Sequence, residues 1–315
     1  MCQEKNTILH DYIGGKMNVY LQLALSLAAG LGSNICRKYF TVKSTSGTSG
    51  RAAYSAITSV VAAVILLLWS GVGSISGFTL WFGVLFGAVT AIQTIANVSA
   101  VNCGPMSYTS IFVSFSVLIS ALSGALIFGE ARLELIQKVG IFLMLVSILL
   151  SANGKGDGKR INLKWLVLSF IAFLLTGAIG IMQKVHQTSA YKGELSAFLV
   201  ISFITSALIS LIFALITRRK EGVETGSESN GKKIAVSILG IMALAGLCVA
   251  ANNKFNLYLS GALPTAIFFP IYNVGILVLT MLSAIVIFKE RLLLKQWIGV
   301  AIGIISVVCI RNPFA

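Results

Sequence analysis

Between Arg51 and Glu130 the chain runs for 78 residues without one Asp, Glu, Lys or Arg. As a single helix that stretch would be about 120 Å long, against a hydrocarbon core of about 30 Å. It must fold back, and the helix breakers show where. Gly71, Gly73, Ser74, Ser76 and Gly77 form one turn, and Asn102, Gly104 and Pro105 form the next. Three membrane spans fit into this one uncharged block.

Composition extends the inference to the whole chain. Apolar residues make up 57% and charged residues 11%, where soluble domains carry about 25% charge. A soluble fold of this length would have too little polar surface to stay dispersed, so a lipid bilayer is the expected solvent. The net charge of +14 does not point to nucleic acid. Lys and Arg sit at span ends and in a few loops, as orientation in a bilayer requires, and do not stripe one soluble face. Counting them on alternate sides places the richer side opposite the termini, but Arg37, Lys38, Lys184 and Lys254 fall near or within helices and leave the orientation open.

The chain reads as all-α and polytopic. Ten transmembrane helices are expected at 18–38, 52–71, 79–100, 105–128, 133–152, 163–184, 195–217, 234–257, 264–288 and 292–310, each near the ~20 residues a bilayer needs. A polar N-terminal extension (1–17) precedes a first five-helix unit (18–152), a soluble linker (153–162) and a second five-helix unit (163–311). Residues 1–16 lack an apolar stretch ending in a small-residue cleavage site, so no removable signal peptide is expected. Trp69, Trp81, Trp165 and Trp297 fall near span ends and read as interfacial anchors.

The two units match in order. Ile127-Phe128-Gly129-Glu130 answers Ile287-Phe288-Lys289-Glu290, with Gly140 and Gly299 following at nearly equal distance. Gly104-Pro105 answers Leu263-Pro264, and Asn97 answers Asn256 at the same offset of 159. At an offset of 147, Gly30 pairs with Gly177 and Arg37 with Lys184. Five spans is an odd number, so the second unit must enter the membrane from the opposite side. Inverted repeats of this kind let a carrier expose one face and then the other.

These features resemble the drug/metabolite transporter superfamily, in particular its EamA-like members. The resemblance rests on the Gly-Glu-x-x-Leu-like ends of the fourth spans, the prolines Pro105 and Pro264 and the Gly-to-cation pattern of each first helix (Gly32 to Lys38, Gly177 to Lys184), and it covers about 18–311. Leu31 stands where the family often has Trp, and the turn at 71–77 lacks the usual basic residues. The resemblance implies a central cavity lined by the first, third and fourth helices of each half, with alternating access.

Polar groups inside hydrocarbon must pair or face a cavity. Asn34, Arg37 and Lys38 end the first helix, and Gln183 and Lys184 hold the corresponding place in the sixth; they read either as headgroup-seeking residues or as the mouth of a site. Gln93 and Asn97, four apart on the third helix, share a face, and Asn252, Asn253 and Asn256 are expected to do so on the eighth. Tyr108 and Ser110, with Tyr272 and Asn273 on the ninth, complete the expected wall, the alternative being interhelical hydrogen bonding alone. No carboxylate lies deep in a span, which argues against proton-for-cation drug exchange and favours an anionic, zwitterionic or neutral solute.

The five cysteines show no metal spacing. His10 and His186, both read as outside the spans, have no second His or acidic partner at ligand spacing. No catalytic residue, metal or cofactor is therefore expected. The expected function is a secondary carrier of small polar metabolites such as amino acids, with efflux as one expected direction, acting as a monomer in a bacterial cytoplasmic membrane. The alternatives are an uptake carrier for sugars or nucleosides and a broad-specificity drug exporter. A channel would need a filter loop and an intramembrane enzyme a Ser/His or metal constellation, and the sequence shows neither.

Overall fold

The computed structural model describes residues 18–43, 48–71, 73–103, 109, 113–129, 134–151, 162–221, 231–287 and 294–311. Among them the chain is helical, without strands. The helices are α1 (Val19–Lys43), α2 (Thr48–Ser70), α3 (Gly77–Cys103), α4 (Val117–Leu126), α5 (Leu135–Ser151), α6 (Leu163–Thr188), α7 (Leu195–Glu221), α8 (Gly231–Ala262), α9 (Thr265–Val286) and α10 (Leu294–Arg311). Seven of these, α1 to α3 and α6 to α9, are long and apolar enough to cross a membrane, while α5 and α10 are shorter apolar helices. The chain is thus a polytopic membrane protein. The expected extension 1–17 and nearly all of the linker 153–162 lie outside the described residues.

Local chemistry sets the helix ends. The Asn162 side chain accepts from Trp165 N at 2.8 Å and starts α6. Ser76 starts α3, its hydroxyl accepting from Thr79 N at 3.1 Å, an N-cap that satisfies an orphan donor. Gly71 (φ 62°) and Gly129 (φ 61°) take the left-handed conformation that glycine adopts without Cβ strain. The turn that separates α2 from α3 and the motif that follows α4 therefore have a physical reason for their glycines.

Packing is dominated by pairs drawn from opposite halves. α1 packs on α8 and α9, and α6 on α3 and α4; α2 packs on α7 and α8, and α7 on α2 and α3; α4 packs on α9 and α5 on α10. Exchanging each helix of α1–α5 with the one five places on leaves this set unchanged. Direction follows from the contacts. α1 runs antiparallel to α8, since Ser26 meets Asn256 and Gly32 faces Cys248. α6 runs antiparallel to α3, since Thr176 meets Gln93 and His186 stacks near Phe78.

Corresponding residues also make corresponding bonds. Ile127 N donates to Ser123 O and Ile287 N to Ser283 O; Ser123 Oγ donates to Ser120 O and Ser283 Oγ to Thr280 O, each at 2.7 Å. Without a water-driven hydrophobic effect between helices in lipid, close approach relies on small residues. A Cβ on Gly87 would press into the Ser202 backbone, and one on Gly246 into Val61 and the Thr58 carbonyl. These two glycines stand 159 apart, the offset that joins Asn97 to Asn256.

Trp165 departs from its expected role. Trp69, Trp81 and Trp297 are exposed, but Trp165 is buried and its Nε1 donates to Thr109 Oγ1 at 2.8 Å. It packs between helices and is not a lipid-facing anchor.

Candidate functional site

The densest polar grouping inside the bundle lies where α1, α8 and α9 meet. Ser26 Oγ donates to Asn256 Oδ1 at 2.7 Å, Asn256 Nδ2 donates to Asn252 Oδ1 at 3.2 Å, and Asn252 Nδ2 donates to Ser26 O at 2.8 Å. The loop of bonds closes on itself. Asn252 Nδ2 also lies 2.7 Å from Tyr272 Oη, to which it donates. Gly30 makes this possible, because a Cβ there would stand 2.7 Å from Tyr272 Oη and 3.0 Å from Asn252 Nδ2. Two turns along, Asn34 Nδ2 donates to Thr280 Oγ1 at 3.2 Å.

A second polar seam lies where α6, α3 and α4 meet. Gln93 Nε2 donates to Thr176 Oγ1 at 2.9 Å, and Ser120 Oγ donates to Gly177 O at 3.3 Å. Asn97, one turn beyond Gln93, is half-buried and makes no side-chain hydrogen bond among the described residues. Both seams present amides and hydroxyls between helices. Such groups hydrogen-bond a polar solute without fixing its charge.

The remaining expected residues divide. Asn253 and Asn273 donate back to carbonyls of their own helices, Val249 O at 2.9 Å and Phe269 O at 2.8 Å. Asn253 therefore does not share the network of Asn252 and Asn256, since consecutive positions on a helix do not face one way. Gln183 is buried. Lys184 is also buried, and its Nζ donates to Leu263 O at 3.1 Å, just past the C-terminal end of α8, where a cation meets the negative end of the helix dipole. Arg37, its counterpart at an offset of 147, is exposed. Tyr108 and Ser110 lie outside the described residues.

Ser26, Thr176, Thr280 and Ser120 are each a lone hydroxyl in an apolar span, which no sequence pattern marks. His186 does not lie outside the spans as expected. α6 instead runs to Thr188, and His186 is fully buried in its last turn, stacked on Phe198 with ring centroids 4.2 Å apart. Among the described residues, no group of three His, Cys, Asp or Glu side chains could hold a metal ion.

No family model and no curated relative matches the chain. A solved structure described as "Crystal structure of protein" is 13% identical, covering 92% of this chain and 98% of its own, with a TM-score of 0.67. At that identity the likeness speaks for a shared fold alone.

Proposed function

We propose that the chain is a secondary carrier of small polar metabolites with ten spans in two inverted five-helix halves, of the EamA-like drug/metabolite transporter type, working by alternating access. The observation that supports this most is the set of helix pairings that survives exchange of the two halves, with matched amides on α3 and α8 at the two inner seams. Five helices per half reverse direction between copies, and two related halves of opposite direction can trade conformations. The seam chemistry of neutral amides and hydroxyls suits zwitterionic or neutral solutes such as amino acids. Arg37 remains a candidate for meeting a carboxylate at the mouth.

The test is exchange of labelled metabolites into liposomes that hold the purified chain. Replacing Asn97 and Asn256 together by Ala should slow exchange about tenfold, the effect of ~1.4 kcal/mol. A broad metabolite panel with neither exchange nor thermal stabilisation of the wild-type chain would overturn the reading.

A further inference from the structure

At one end of the bundle the start of α3, the end of α6 and the start of α7 meet around His186. Its ring lies against Phe198 and near Phe78, and Phe78 in turn stacks on Phe82 and Tyr191. Nδ1 lies 3.2 Å from Gln187 Nε2, while Nε2 is buried with no hydrogen-bond partner among the described residues. A buried ring nitrogen left without a partner is uncommon, because an unsatisfied polar atom costs more than its hydrogen bond would contribute. Thr79, on the facing end of α3, is fully buried and its side chain interacts with Glu194.

Glu194, in the short turn Lys192–Glu194 before α7, is the carboxylate that, among the described residues, interacts with both Thr79 and His186. Its Oε2 accepts from Ser76 N at 3.0 Å and from Ser76 Oγ at 2.8 Å. The residue that holds the N-terminal cap of α3 is therefore also the anion available to His186. Among the described residues, other charges near the ring are few. α3 and α7 present Phe78 and Phe198, Lys184 on α6 directs its ammonium to Leu263 O, and Lys192 and Tyr191 are exposed.

We propose that His186 is a proton-binding switch whose charged form draws Glu194 from Ser76 and unties α3 from the α6–α7 turn. An imidazolium in this aromatic pocket needs an anion, and among the described residues Glu194 is the carboxylate that interacts with the ring. The ring sits in the last turn of α6, where the helix dipole favours a cation, and aromatic faces tolerate one. The proton enters the ring, Glu194 exchanges its Ser76 donors for the charged ring, and the first turn of α3 loses that support. The switch is independent of the carrier reading, since it concerns an equilibrium of the chain alone.

The chain has two histidines, so a full-length His10→Gln variant in lipid nanodiscs leaves one imidazole to observe. Nitrogen NMR of that ring across an acid-to-neutral series reports its charge directly. Hydrogen exchange of peptides covering 73–80, corrected for the intrinsic pH dependence of exchange, reports the α3 cap. The ring should ionise on acidification, and protection at 73–80 should fall about five- to tenfold over the same pH range, as expected for loss of a cap. His186→Phe keeps an aromatic ring in the stack and should make protection independent of pH. Glu194→Gln, which keeps an acceptor for Ser76 but no charge, should weaken the dependence. A ring that stays neutral wherever the fold persists overturns the switch, and so does a pH dependence unchanged in either variant.

Discussion

The α1/α8/α9 seam and the α6/α3/α4 seam are made from corresponding helices and are filled differently. In the first, Asn252 is a hub that bonds Ser26, Tyr272 and Asn256. In the second, the residue at the same offset is Gln93, which bonds Thr176, while Asn97 stands outside any side-chain bond among the described residues. The glycines that admit the neighbouring helix differ in the same way. Gly30 faces the polar tip of Tyr272 and Gly177 the branched chain of Ile119. One scaffold thus carries one seam tied by hydrogen bonds and one closed by shape. A hydrogen-bonded seam resists separation until its bonds are exchanged, whereas a steric seam tolerates sliding and resists added volume.

The sharpest way to break this contrast is to move a residue between the seams. Gly180 on α6 corresponds to Ser33 on α1. Ser33 is buried and accommodated, whereas a Cβ on Gly180 would stand 2.9 Å from Ser120 Cβ and 3.2 Å from Phe269 Cζ. Gly180→Ser should therefore destabilise by about 2 kcal/mol, within the range for overpacking. That corresponds to a melting temperature lower by roughly 5 °C in detergent. Ser120→Gly in the same chain should recover most of the loss, as contacting residues are coupled. Ser33→Gly should cost less than about 1 kcal/mol, the entropy of a helical glycine. Equal losses at Gly180 and Ser33 would show that the seams do not differ in tolerance.

A smaller effect separates the amides. Asn252→Ala removes a side chain bonded to both neighbouring helices and should cost about 1–2 kcal/mol, the upper part of the range for interhelical hydrogen bonds in membranes. Gln93→Ala should cost about 0.6 kcal/mol, near the average for such bonds. Reversible unfolding of the two variants under one condition compares them directly, and a larger loss at Gln93 would invert the comparison.

How far these seams were legible before the coordinates depended on the kind of information each residue carried. Span positions followed from apolar length, and α1, α2, α3 and α6 to α9 lie where composition places them. The paired offsets single out Gly30 and Gly177, and each of these glycines faces a neighbouring helix closely. Residue type could not separate Asn252 and Asn256, which bond across helices, from Asn253 and Asn273, which bond their own backbone. That distinction rests on the rotational phase of α8 and α9, and apolar residues around nearly the whole circumference conceal phase. The place of His186 is hidden because Gln183, Lys184, His186 and Gln187 look like the polar end of a span. The segment is buried by α7 and by the end of α8, and its acidic neighbour Glu194 arrives through a turn that no helical spacing encodes.

The finest probe of the hydrogen-bonded seam is Tyr272→Phe, which removes one oxygen and leaves the ring in place. Asn252 Nδ2 then loses the acceptor at 2.7 Å but keeps Ser26 O at 2.8 Å. Because an amide nitrogen has two hydrogens, the loss leaves Ser26 as the acceptor for Asn252 Nδ2, through its carbonyl at 2.8 Å and its hydroxyl at 3.4 Å, while the closed loop through Ser26 and Asn256 persists. The expected cost is about 0.6 kcal/mol or less, a shift of roughly 1–2 °C. Repeating the substitution in an Asn252→Ala background should reduce the effect, since the hydroxyl would already lack its Asn252 donor. If Tyr272→Phe costs as much alone as in that background, the hydroxyl acts through some other group and the seam is not organised around Asn252.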